Sequence, residues 1–153
     1  MPNHCEQDLT VRGPIADVDA FLTSCTKIDN DDTVLDCNAI IPYPQRYRDM
    51  DATAKLATDE WCVKNWGTKW GAYDGIPVRV TMRGKRKTAR LSFSSAWEPI
   101  GSRIWNELTT RFPTLLFTLR YYEGGVGFQG EYAVKGTSIV REFKKPYRGQ
   151  RGG

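Results

Sequence analysis

The chain has 153 residues, of which 26% are charged and 40% hydrophobic, with five Trp, seven Tyr and six Phe. That length suits one domain with its own core, and the balance excludes disordered and collagen-like chains. The net charge of +4 hides a division: residues 1–62 carry a net of −7 and residues 63–153 a net of +11, which predicts a dipolar surface with one side attractive to anions.

In chain order, Asp8–Pro14 alternates polar and apolar residues up to a Gly-Pro break and predicts a strand. Ile15, Val18, Phe21, Leu22 and Cys25 then recur at spacings of three and four, one apolar stripe of a helix. Asp29–Thr33 reads as a polar loop. Leu35, Cys37, Ala39 and Ile41 recur with period two, and Pro42 and Pro44 end this second predicted strand. Met50–Trp61 predicts a helix, followed by the aromatic, glycine-containing loop Asn65–Gly75, with Asn65, Thr68 and Asp74 as its candidate hydrogen-bonders. Val78–Met82 and Thr88–Phe93 flank a basic turn and predict a hairpin. Ile100, Ile104, Trp105, Leu108 and Phe112 give a second core-facing helix between Pro99 and Pro113. Leu115–Tyr122 predicts a central strand, and Phe128–Val134 with Ser138–Phe143 two more.

This order gives an α+β fold, a ferredoxin-like split βαβ sandwich. It has a mainly antiparallel sheet with helices on one face, a Trp-rich helical and loop insertion at about 45–75, and an extra C-terminal hairpin. Residues 1–146 form one domain, and 147–153 a flexible basic tail. The longest apolar runs fall short of the roughly 20 residues that span a bilayer, and Met1–Glu6 lacks a signal-peptide pattern, so a cytoplasmic protein is expected.

Cys5, Cys25, Cys37 and Cys62 include no Cys-x-x-Cys pair, and His4 is the only histidine. No cofactor, metal site or catalytic residue is predicted, and hydrolytic chemistry based on an imidazole is improbable on composition. Trp97 and Trp105 are expected in the core. Trp61, Trp66 and Trp70 fit either a packed plug or a contact surface.

Three stretches together resemble the YubB-type ferredoxin-like proteins of phages, plasmids and mobile islands: Pro2–Cys5 with Leu9–Gly13, the run Asn-Trp-Gly-Thr-Lys-Trp at 65–70, and Phe93–Pro99. The resemblance implies a ferredoxin-like domain carried by mobile DNA, in a family largely without a known biochemical activity. It supplies no catalytic residue.

Three functions compete. The first is a non-enzymatic phage or mobile-element protein that binds and inhibits a host protein, such as a CRISPR effector, in the bacterial cytoplasm. Its contact residues would be Asp29, Asp31, Asp32, Trp66, Lys69, Trp70 and Tyr73, acids and hot-spot residue types. The second is a nucleic-acid-binding module using Arg79, Arg83, Lys85, Arg86, Lys87 and Arg90 on the basic hairpin beside aromatic rings. The third is an enzyme with Asp74, Glu98 or Glu107 as its acids.

Overall fold

The computed structural model describes residues 3–48 and 55–149. Strand β1 (His4–Pro14) leads directly into helix α1 (Ile15–Cys25), then β2 (Thr26–Asp29), β3 (Asp32–Leu35) and the short helices α2 (Cys37–Ile40) and α3 (Gln45–Arg48). Helix α4 (Lys55–Trp66) precedes β4 (Arg79–Arg83) and β5 (Arg86–Ala96). Helix α5 (Ser102–Arg111), β6 (Leu116–Glu123), β7 (Phe128–Lys135) and β8 (Ser138–Pro146) complete the chain. The result is an α+β fold whose six-stranded sheet runs β4-β5-β1-β6-β7-β8, every neighbour antiparallel. No helix among the described residues is long and apolar enough to cross a membrane.

β1 sits at the centre because its odd positions, Cys5, Leu9 and Val11, are apolar and its even positions, Glu6, Asp8, Thr10 and Arg12, are polar. Period-two alternation of this kind belongs to a sheet packed on one side only. The packed side meets Val18 and Phe21 of α1 and Ile104, Trp105 and Leu108 of α5. Phe21 stands edge-on to Phe117 at 5.5 Å between ring centres, and Trp105 lies 6.2 Å from the same ring. Each such fully buried aromatic contributes about 1.5–3 kcal/mol by leaving water.

One buried polar group fastens helix to sheet. Gln7, fully inaccessible, donates from Nε2 to Ser95 Oγ at 2.5 Å and accepts at Oε1 from the Ile100 backbone N–H at 3.0 Å. The side chain thus ties β1, β5 and the start of α5 with every polar atom satisfied, which its burial requires.

Several elements depart from the reading of the sequence. Asp29–Thr33 is the end of a hairpin: β2 pairs with β3, Asp29 opposite Asp32, and Asn30 and Asp31 both take left-handed backbone (φ 50° and 69°). Two consecutive positive φ values describe the tight turn that matches strand twist, and Asn and Asp tolerate it. The strand predicted over Leu35–Ile41 stops at Leu35, because the Asp36 side chain accepts from the Ala39 N–H at 3.1 Å and starts α2. Helix α4 runs on to Trp66, five residues past the predicted end, while positions 50–54 of that expectation lie outside the described residues.

The insertion is anchored through two glycines. A Cβ built on Gly67 would stand 2.5 Å from the Gly101 nitrogen, Gly67 has φ +80°, and the Gly101 N–H donates to the Trp66 carbonyl at 2.8 Å. Only a residue without a side chain lets the end of α4 touch the start of α5 there. At the other terminus Tyr147 stacks on Tyr122 (5.2 Å, 14° between planes) and donates its N–H to the Gly127 carbonyl, so the first residue assigned to the tail is held on the sheet. Positions 150–153 of that tail lie outside the described residues.

Candidate functional site

Because α1 and α5 cover the odd-numbered side of β1, strand register alone determines what the opposite face displays. From β4 and β5 come Arg79 opposite Arg90, Thr81 opposite Thr88, and Arg83 opposite Arg86. β1 adds Glu6, Asp8, Thr10 and Arg12, and β6 adds Thr118, Arg120 and Tyr122. Gln129 and Glu131 come from β7, Arg141, Phe143 and Lys145 from β8. A register shift between Ala133 and Val134 keeps the three β8 residues on this side.

The basic hairpin is therefore divided. Arg79, Arg83, Arg86 and Arg90 lie together on the open face, all exposed. Lys87 points to the other side, where it is half-buried and ion-paired with Asp19 of α1. Lys85 is exposed in the β4–β5 turn, outside the ladder. Among the described residues no carboxylate lies within ion-pair distance of the four arginines. Arg12, Arg120, Arg141 and Lys145, from strands far apart in sequence, extend the basic surface across the sheet.

Two adjoining depressions cross this face, each of about 410 Å³. The first is lined by Arg79, Arg90, Ser92, Thr10 and Thr118, the second by Tyr122, Gln129, Glu131, Arg141, Phe143 and Lys145; Asp8 and Arg120 line both and make them continuous. Five inter-strand spacings of about 4.8 Å give the face a width of roughly 24 Å.

Of the other predicted contact residues, Trp66, Lys69 and Trp70 line one depression of about 320 Å³ with Tyr43 and Asp59, while Asp29, Asp31 and Asp32 belong to the β2–β3 hairpin. Trp66 packs into the core: it is 7% exposed, its Nε1–H donates to the Ile41 carbonyl at 2.9 Å, and its ring meets Trp61 edge-on at 5.4 Å. Lys69 holds its ammonium 4.4 Å from the centre of the Trp97 ring, with Asp59 at 3.9 Å. Trp97, expected in the core, is exposed instead, because β5 ends at Ala96 and Trp97 turns outward with φ 68°. Trp70 is 44% exposed, its ring 6.3 Å from that of Tyr73. The Tyr73 hydroxyl lies 2.8 Å from His4 Nδ1, and burial, followed by the Asp74 charge, raises its pKa. Asp29, Asp31 and Asp32 form the β2–β3 hairpin tip.

Of the loop's candidate hydrogen-bonders, Asn65 accepts from Arg103 at 2.7 Å and Thr68 Oγ1 accepts from the Trp70 N–H at 3.4 Å. The candidate acids sit on different elements: Asp74 on the loop before β4, Glu98 before α5 with Lys144 at 3.5 Å, and Glu107 within α5 paired to Arg111 at 3.1 Å. The four cysteines are free and buried, and burial pushes the Cys62 thiol up to about 11 and the Cys37 thiol to about 12. No group of three or more His, Cys, Asp or Glu residues among those described is arranged to hold a metal ion.

No family model matches this chain, and no curated protein matches it. Among solved structures it is similar to the crystal structure of a protein api92 from Yersinia pseudotuberculosis, family-model DUF1281, at 16% identity and a TM-score of 0.50. The likeness covers 78% of this chain and 42% of that one, so this chain spans about two fifths of its neighbour's length. At that identity the likeness is one of fold alone.

Proposed function

We propose that this chain is a nucleic-acid-binding protein that lays the open face of its sheet against the phosphate backbone. The observation that carries the reading is the pair of direct Arg–Arg oppositions, Arg79 with Arg90 and Arg83 with Arg86. Like charges directly opposite on a sheet destabilise it by roughly 0.2–1 kcal/mol each. A polyanion laid across the pairs reverses that sign, and phosphates supply anions at matching close spacing. The test is fluorescence anisotropy with a labelled single strand over a salt series. Four neutralised phosphates on a single strand give a slope of log K against log salt near −2.8, hence about a fiftyfold loss between about 50 and 200 mM salt. Affinity independent of salt would remove the reading.

The same proposal takes the finer form of the fold. β5 and β6 both run antiparallel to β1, which lies between them, and α5 joins them; β1 and β4 both run antiparallel to β5, and α1 with the insertion joins them. Two interlocked split βαβ units of this kind are the ferredoxin-like plan. Kinship with the YubB-type proteins is proposed on the Asn65–Trp70 run, whose Gly67 and Trp66 make the contacts that seat the insertion. This reading puts the protein in the bacterial cytoplasm, where its ligand is.

A second reading, binding and inhibition of a host protein such as a CRISPR effector, has its own support. The β2–β3 hairpin presents Ile28, 69% exposed, beside Asp29, Asp31 and Asp32, so its tip offers an apolar anchor ringed by acids. Changing the three aspartates to lysine is expected to abolish capture of a discrete protein from nuclease-treated bacterial lysate. Recovery unchanged by the reversal sinks this reading.

A further inference from the structure

Resting on the nucleic-acid reading, we propose that the open face takes a single strand, with one unstacked base seated against Phe143 in the β6–β8 depression and the phosphates of nucleotides further along the strand held at the Arg79–Arg90 end. The two ends of the groove differ in chemistry. Around Arg79 and Arg90 the polar side chains of the lining are hydroxyl groups and cations, with Asp8 at the boundary. In the second depression Glu131, 8% exposed, stands 3.8 Å from Arg120 Nε and 3.3 Å from Arg141 Nε, so one carboxylate offsets part of two guanidinium charges and repels a phosphate. Phosphate is therefore favoured at the first end.

What the second end offers is a ring. Phe143 is half-buried, with the Arg141 guanidinium 5.1 Å and the Lys145 ammonium 5.6 Å from its centre. The buried Gln129 amide, the Glu131 carboxylate and the Tyr122 ring, which is backed by Tyr147, add to the lining. A ring face and guanidinium planes stack on a heterocycle, while an amide and a carboxylate read donors and acceptors along its edge. At about 410 Å³ the depression has the size of an ordinary small-ligand pocket. A duplex keeps its bases stacked and paired, so it leaves these groups unused.

The experiment is anisotropy at one fixed salt with labelled strands of about 12 nucleotides, one RNA, one DNA of the same sequence, and the matched DNA duplex. At least one single strand is expected to bind about tenfold more tightly than the duplex. Phe143→Leu, which keeps apolar bulk and removes the ring, should then weaken that strand about tenfold and leave the duplex unchanged; whichever strand shows the effect identifies the sugar. If Phe143→Leu melts early, Tyr122→Leu serves as the second variant. Equal binding of strand and duplex, or a Phe143→Leu loss shared by both, overturns the inference and leaves the basic-face reading standing. Binding to none of the probes overturns both.

Discussion

Changing Arg79 and Arg83 together to glutamate is expected to weaken nucleic-acid binding on the order of a hundredfold and, at the same time, to raise the melting temperature. The two effects have one origin. Arg79 faces Arg90 and Arg83 faces Arg86 across an antiparallel pair, so each substitution turns a repulsion into an attraction between opposed side chains. Summed over both pairs this is worth about 1 kcal/mol, which moves the midpoint of a domain this size by about 2–4 °C. Binding moves the other way, because two cations that meet phosphates become two anions that repel them. The milder Arg79→Gln, Arg83→Gln protein should flatten the salt dependence by about 1.4 in log–log slope. Scanning calorimetry and anisotropy on the same samples decide the matter. A variant that loses stability and binding in parallel would mark these arginines as structural, and the opposed pairs would need another explanation.

The stability cost itself argues for function, since a sheet face selected for folding alone gains by placing an acid opposite each arginine. The β7–β8 end has the structurally ordinary arrangement, with Glu131 reached by Arg120 and Arg141. The same fold thus satisfies its arginines at one end and leaves them opposed at the other.

How far the sequence could be read follows from whether a signal is local. Helix α1 begins and ends where its stripe does, at Ile15 and Cys25, because one apolar face at a spacing of three and four admits no other regular structure. Leu35, Cys37, Ala39 and Ile41 misled because the window is short. Cys37 and Ile40, three apart, are both buried in a helix, and the deciding feature was Asp36, a cap placed three residues before the N–H it accepts from. The hairpin over 79–90 was legible as a concentration of charge. Its division was not, because the face that Lys87 takes depends on register with β1, and register depends on Leu9, Val11 and Leu91 being buried together. Arg12 and Arg120 were invisible to any window, since they meet the hairpin arginines only through pairing between strands distant in the chain. Phe143 was read as a strand residue for the same reason. The Trp97 expectation failed because the residue belongs to no helix: β5 ends at Ala96, α5 starts at Ser102, and left-handed backbone at Trp97 turns its side chain outward.

Trp66→Ala is the substitution expected to cost most stability. The ring is enclosed by Trp61 at 5.4 Å and Tyr43 at 5.8 Å, and Gly71 approaches it closely enough that a Cβ there would stand 3.6 Å from the indole. Truncating a buried tryptophan removes about 3–5 kcal/mol of packing. The Ile41 carbonyl also loses its indole donor, a further penalty of about 1–3 kcal/mol where water does not replace it. Against a total stability of about 5–15 kcal/mol, the midpoint should fall by about 6–20 °C. Trp66→Phe restores the ring without the donor and should recover most of that loss. Trp70→Ala, four residues on and 44% exposed, should move the midpoint by no more than about 2 °C, since exposed truncations rarely exceed about 0.5 kcal/mol. Below its own melting range the Trp66→Ala protein should still bind nucleic acid, because none of the open-face residues touches this ring in the contacts that hold it. A Trp66→Ala protein that melts within about 2 °C of the parent would return the residue to the contact surface. One that keeps its fold and loses binding would move the site from the sheet face to the insertion.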